Sequence, residues 1–102
     1  MTLRAWLDGR TPVVPVAFRP YVRLTDPDRE ADLPGDRVDA LTEEARSALA
    51  DARRRDPSDR DGAFDLLAAD AWATWAAEAA LDTPDPVAAL TDLARRLSDP
   101  SP

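Results

Sequence analysis

The chain has 102 residues, a net charge of −7 and an apolar fraction of 44%, the balance of a single folded, soluble domain rather than a disordered segment. It contains no Cys and no His, which excludes disulfides, thiolate chemistry and imidazole ligands or bases. The acidic balance disfavours nonspecific binding to nucleic acid or to an anionic membrane, because both are held mainly by Lys and Arg.

Alanine accounts for 20 residues and Ile is absent. Ala removes little surface from water compared with Leu or Phe, so the core is expected to be thin, and oligomerisation or docking on a larger partner would supply the missing burial. All 13 basic residues are Arg, a bias that matches GC-rich coding better than a binding adaptation. No run approaches the roughly 18 apolar residues of a membrane span. Arg4 and Asp8 interrupt the short apolar start, so no signal peptide is expected and the chain is placed in the cytoplasm.

In chain order, MTLRAWLDG predicts a short helix with Thr2 as its cap and Leu3, Trp6 and Leu7 turned inward. Gly9 would close it in the left-handed conformation. The competing reading is a hairpin through Asp8 and Gly9, pairing residues 2–7 with 10–15, which puts Pro12 where a ladder N–H is needed. In PVVPVAFRPYVRL, Val14, Val16, Phe18, Val22 and Leu24 alternate with Arg19, Tyr21 and Arg23. Pro15 and Pro20 each lack a ladder donor, leaving an edge strand or an extended arm over the helices.

TDPDREAD sets Asp26, Asp28, Glu30 and Asp32 at alternate positions; such a run reads as a solvated loop rather than a cation site. A first amphipathic helix is predicted from about Arg37 to Arg55, capped by Asp36, with Val38, Leu41, Ala45, Ala48, Leu49 and Ala52 as its apolar stripe. Arg53, Arg54 and Arg55 suit the negative end of its dipole, and Pro57 ends it. With Arg46 and Arg60 they form the only basic cluster, hemmed in by Asp51, Asp56, Asp59 and Asp61, so nucleic acid is not an expected partner. DPSDRDGAF carries a fragment of a calcium loop, but the first and twelfth ligand positions fall on Pro57 and Ala68. It therefore reads as a capping loop.

A second helix, from about Ala63 to Leu81, is apolar on most of its circumference. Placing residues about 100° apart gives an aromatic side of Phe64, Ala68, Ala71, Trp72, Trp75 and Ala79, and an alanine seam of Leu66, Ala69, Ala73, Ala76 and Ala80. Asp70, Thr74 and Glu78 leave a narrow polar stripe, and Asp65 is expected at the edge of the wet face. A third helix begins with Asp85 as cap and Pro86 at its first position, with Val87, Leu90, Leu93, Ala94 and Leu97 facing inward. Residues 99–102 read as a flexible tail.

The expected fold is mainly α: one domain over residues 1–98, with residues 1–35 as a Pro-rich extended arm or edge strand and 36–98 as a three-helix core. Without His, Cys or Lys, and with little volume for a cleft, no catalytic residues, metal site or cofactor are expected. The expected function is a noncatalytic protein–protein interaction module, an acidic oligomeric adaptor or an accessory subunit of a larger complex. Its partner is a second copy in a homodimer or a larger protein, met through Trp72, Trp75, Ala69, Ala73, Ala76 and Ala80. A self-complementary alanine seam favours an antiparallel two-fold pair, and tryptophans dominate interface hot spots. The alternative is a small acidic inhibitor, of the antitoxin, immunity-protein or phage-antagonist kind, that blocks an enzyme's basic site.

Overall fold

The computed structural model describes residues 1–9, 24–26 and 28–98. Among them the chain forms four helices: α1 (Leu3–Asp8), α2 (Pro34–Arg54), α3 (Arg60–Ala80) and α4 (Pro86–Ser98). The mainly helical fold read from the sequence is the one observed. The alternating segment from Val14 to Val22, the hairpin partner 10–15 and the tail 99–102 lie outside the described residues.

Helix α1 starts where Thr2 Oγ1 accepts the Ala5 N–H at 3.2 Å, satisfying one of the donors that a helix start leaves over. Leu3 is fully buried, and Trp6 and Leu7 rest against the core. Gly9 closes the helix at φ −81° and ψ 0°, in the right-handed and not the left-handed region. The expected left-handed cap is absent because the Gly9 N–H turns back to the Leu7 carbonyl.

The chain start is stitched to residues 29–31: Leu3 N–H donates to the Arg29 carbonyl at 2.8 Å and Ala31 N–H to the Met1 carbonyl at 2.9 Å. Leu3 and Ala31 are thereby core residues, so of the stretch expected as an arm, these described residues belong to the core that was expected to begin at 36. Arg37 locks this junction from α2, donating to the Ala31 and Asp32 carbonyls at 2.8 and 2.9 Å. Its guanidinium also stands 6.0 Å from the Trp6 ring centroid, within cation–π range.

Helix α2 begins earlier than Asp36. Leu33 is its N-cap, without a side-chain cap bond, and Pro34 opens the helix. The fixed φ of proline is already helical, and its missing N–H costs nothing there, so Asp36 becomes a first-turn residue whose charge favours the dipole. Val38, Leu41, Ala45 and Ala48 are buried as their spacing predicts, joined by Ala40, Thr42 and Glu44. Two of these additions are polar and bonded: the Thr42 hydroxyl donates to the Val38 carbonyl at 2.6 Å, and Glu44 is held by Thr25, as described below.

Helix α3 is capped by Asp59, whose carboxylate accepts the Asp61 N–H at 2.9 Å, and it packs chiefly along α2. Helix α4 starts as predicted, with Asp85 Oδ1 accepting the Ala88 N–H at 3.1 Å. Its inward stripe is narrower than expected. Leu93 is buried and Leu90, Leu97 and Ala89 are half buried, but Val87 is 75% exposed and Ala94 is exposed. At about 100° per residue, Val87 and Ala94 lie roughly a quarter turn from the Leu93 and Leu97 direction, so they face water. Arg96 ties α4 to Asp39 of α2 at 2.9 Å, a surface pair worth under about 1 kcal/mol.

Candidate functional site

The residues nominated for an interface divide by burial. Ala69, Trp72, Ala76 and Ala80 are buried in the chain's own core, while Ala73 and Trp75 are half buried against it. The Trp72 and Trp75 rings meet edge to face, with centroids 5.2 Å apart and planes at 71°, an arrangement the ring quadrupoles favour. The alanine seam is therefore occupied inside the chain, where small side chains let neighbouring backbones approach. Four of the six nominated residues are no free surface while the chain is folded.

Leu66, placed by periodicity at the head of that seam, is 54% exposed. A 3.5-residue repeat drifts about 20° per heptad on a straight helix, and the buried arc is centred on Asp65, Trp72 and Ala76 rather than on the seam. Leu66 is carried past its edge. Turned outward with it are Leu67 at 50% and Leu81 at 62% exposure, the exposed Ala63, Asp70 and Thr74, and the half-buried Ala77.

This outer face has a pattern of its own. Ala63, Leu67, Asp70, Thr74, Ala77 and Leu81 recur at spacings of four, three, four, three and four, a second heptad seam. It is apolar at both ends and polar in the middle. The Thr74 hydroxyl donates to the Asp70 carbonyl at 2.8 Å. The sequence reading missed this seam because Asp70, Thr74 and Glu78 marked that side as wet; the signal was the apolar pair on either flank of them.

A concavity of about 280 Å³ opens between α2 and α3 and is lined by Thr25, Glu44, Ser47, Asp51, Asp65 and Trp72. Three carboxylates around a tryptophan floor suggest cation binding or acid–base work, but each is already engaged. Glu44 Oε1 accepts the Thr25 N–H at 2.9 Å and its hydroxyl at 2.7 Å. Asp51 is bonded by Arg54. Asp65 accepts from Arg55 Nε at 2.5 Å. Asp65 is only 7% exposed, not at the wet edge as expected, because the Arg55 guanidinium, itself at the surface, reaches over it and compensates the desolvated charge.

Arg55 organises the α2–α3 turn. Its guanidinium stands 3.7 Å from Asp59 and 3.6 Å from Asp61, so the aspartates of the calcium-loop fragment face an internal cation. The hydrogen bond to Asp65 leads the causes that raise the Arg55 pKa above its ordinary value. In the same turn, the Ser58 N–H and hydroxyl bond Asp56 Oδ1 at 2.9 and 2.7 Å, and the N–H above all holds that carboxyl below its usual range. Of the acidic run at 26–32, Glu30 and Asp32 pair with the Met1 ammonium. These bonds, Asp32's first, raise the ammonium pKa. Among the described residues no group of three or more acids is placed to share a metal ion, and no helix is long and apolar enough to cross a membrane.

Among the described residues, the outer face of α3 is where three exposed leucines, Leu66, Leu67 and Leu81, stand together. Comparison with known proteins returns no match, neither to a family model, nor to a curated protein, nor to a solved structure.

Proposed function

We propose that the chain is a noncatalytic protein–protein interaction module, an oligomeric adaptor or an accessory subunit of a larger complex, with the outer face of α3 as its binding surface. One observation carries this reading: Leu66, Leu67 and Leu81 stand half exposed or more on a helix whose buried face is largely alanine. Fully burying a leucine contributes roughly 1.5–3 kcal/mol, so covering the exposed halves of three offers roughly 2–4 kcal/mol. Micromolar affinity requires about 8 kcal/mol, so the partner must also match the polar centre at Asp70 and Thr74.

Photo-crosslinking in cells tests the reading. A photoreactive side chain at Leu66 or Thr74 is expected to give a discrete protein adduct, and one at the exposed Arg53 is not. Absence of an adduct from the α3 face refutes it. An adduct that survives moderate salt fits an apolar contact, whereas one lost steeply with ionic strength fits the acidic-inhibitor alternative.

A further inference from the structure

We propose that the occupant of this face is a second copy of the chain, its α3 antiparallel to the first; the inference rests on the interaction reading above and names its partner. Two-fold symmetry requires that residue i of one copy face residue j of the other with a constant sum. For this seam the constant is 144. Ala63 then faces Leu81 of the second copy, Leu67 faces Ala77, and Asp70 faces Thr74. Both seam leucines, Leu67 and Leu81, meet an alanine and the seam carboxylate meets a hydroxyl, from one choice of register.

That match is physical as well as numerical. A Leu opposite an Ala gives each layer nearly the same volume, which lets two helices run side by side at the 8–10 Å spacing of packed helices. At about 1.5 Å rise per residue, the six layers from Ala63 to Leu81, the C-cap of α3, span roughly 27 Å. The charges at its ends agree with the same direction. Arg60 opens α3 and Asp82 follows it; both are exposed, and neither forms an ion pair among the described residues. Antiparallel packing brings each Arg60 to the Asp82 end of the other copy, whereas parallel packing sets Arg60 beside Arg60. Asp70 approaches its own copy across the axis, so affinity is limited by that repulsion and by the net charge of −7 on each chain.

The chain contains no Cys, so introduced cysteines report the register without background. Light scattering of the unaltered protein comes first and is expected to give twice the chain mass at micromolar to hundred-micromolar concentration. Mixing Leu67→Cys with Ala77→Cys under mild oxidation is then expected to give a disulfide-linked pair, with little from either variant alone. Like positions lie ten residues apart along an antiparallel pair, roughly 15 Å, beyond the reach of a disulfide. Asp70→Asn is expected to tighten the dimer several-fold. A folded monomer throughout that range overturns the second copy, and if the photo-crosslinked adduct is then a different protein, the interaction reading stands without it. Efficient linkage by Leu67→Cys alone overturns the antiparallel direction, and a dimer that links in none of the mixtures overturns the register.

Discussion

Exchanging residue sizes between the two faces of α3 has an effect opposite to the usual rule that leucine stabilises a helical protein. Ala76 is fully buried, while Leu66 is 54% exposed. Ala76→Leu forces an isopropyl group into a contact that alanine keeps close, and overpacking of a tight core costs roughly 1–3 kcal/mol. For a domain of this size each kcal/mol lowers the melting midpoint by about 4–8 °C, so a cost of ~2 kcal/mol lowers it by roughly 8–16 °C. Leu66→Ala removes the same group from a site half in water, leaves no closed cavity and gains slightly in helix propensity, for a net loss under about 1 kcal/mol. Thermal and urea unfolding followed by circular dichroism, at a dilution where association contributes nothing, measures both. An Ala76→Leu protein as stable as the parent, or a Leu66→Ala protein that loses as much as Ala76→Leu, refutes the assignment of inner and outer faces.

The Arg55 and Asp65 pair is expected to respond asymmetrically. Arg55→Met strands a carboxylate whose side chain is 11% exposed, whereas Asp65→Asn leaves a guanidinium that is 37% exposed and still near Asp59 and Asp61. Urea midpoints should therefore fall further for Arg55→Met, and equal losses would point to a solvated Asp65. Glu44→Ala removes the acceptor of both Thr25 donors and is expected to cost about 1–3 kcal/mol, with faster amide exchange at Thr25; Glu44→Gln, which keeps an oxygen, should recover part of it. The Asp56 carboxyl is depressed below its ordinary 3.8, so its contribution is full above that value and is lost as pH falls through the lower folded value. Ser58→Ala should move the Asp56 titration, read by NMR, only part of the way back, since the larger cause is the Ser58 backbone N–H; complete reversal contradicts that order.

What the sequence made legible follows from where its signals are directional. The stripe of Val38, Leu41, Ala45 and Ala48 contrasts with polar neighbours, so α2 could be oriented by spacing alone. Thr2 and the Asp85–Pro86 pair mark helix starts because their side chains and φ values act locally. Pro34 overrode Asp36 as the start of α2 for the same local reason, read one step too late. Asp65 was misjudged because its burial depends on Arg55, ten residues away, and a long-range charge partner has no periodic signature.

Helix α3 defeated orientation for a different reason. Alanine is acceptable both inside and outside, so a helix apolar around most of its circumference carries little directional signal. The inward side was decided by neighbours: the shape of α2, the room for Trp72 and the guanidinium offered to Asp65. Once Gly62, Ala69, Ala76 and Ala80 were chosen for close approach, Leu66, Leu67 and Leu81 had to face out. Tight packing within the chain and unspent apolar surface outside it are thus two consequences of one choice. They are also separable, because Leu67 and the buried residues lie on opposite sides of α3 and their substitutions should add. Leu67→Arg should abolish association while leaving the dilute-solution melt nearly unchanged. A parent melting point that rises with protein concentration, and a Leu67→Arg melt that does not, would show the outer face adding stability only through a partner.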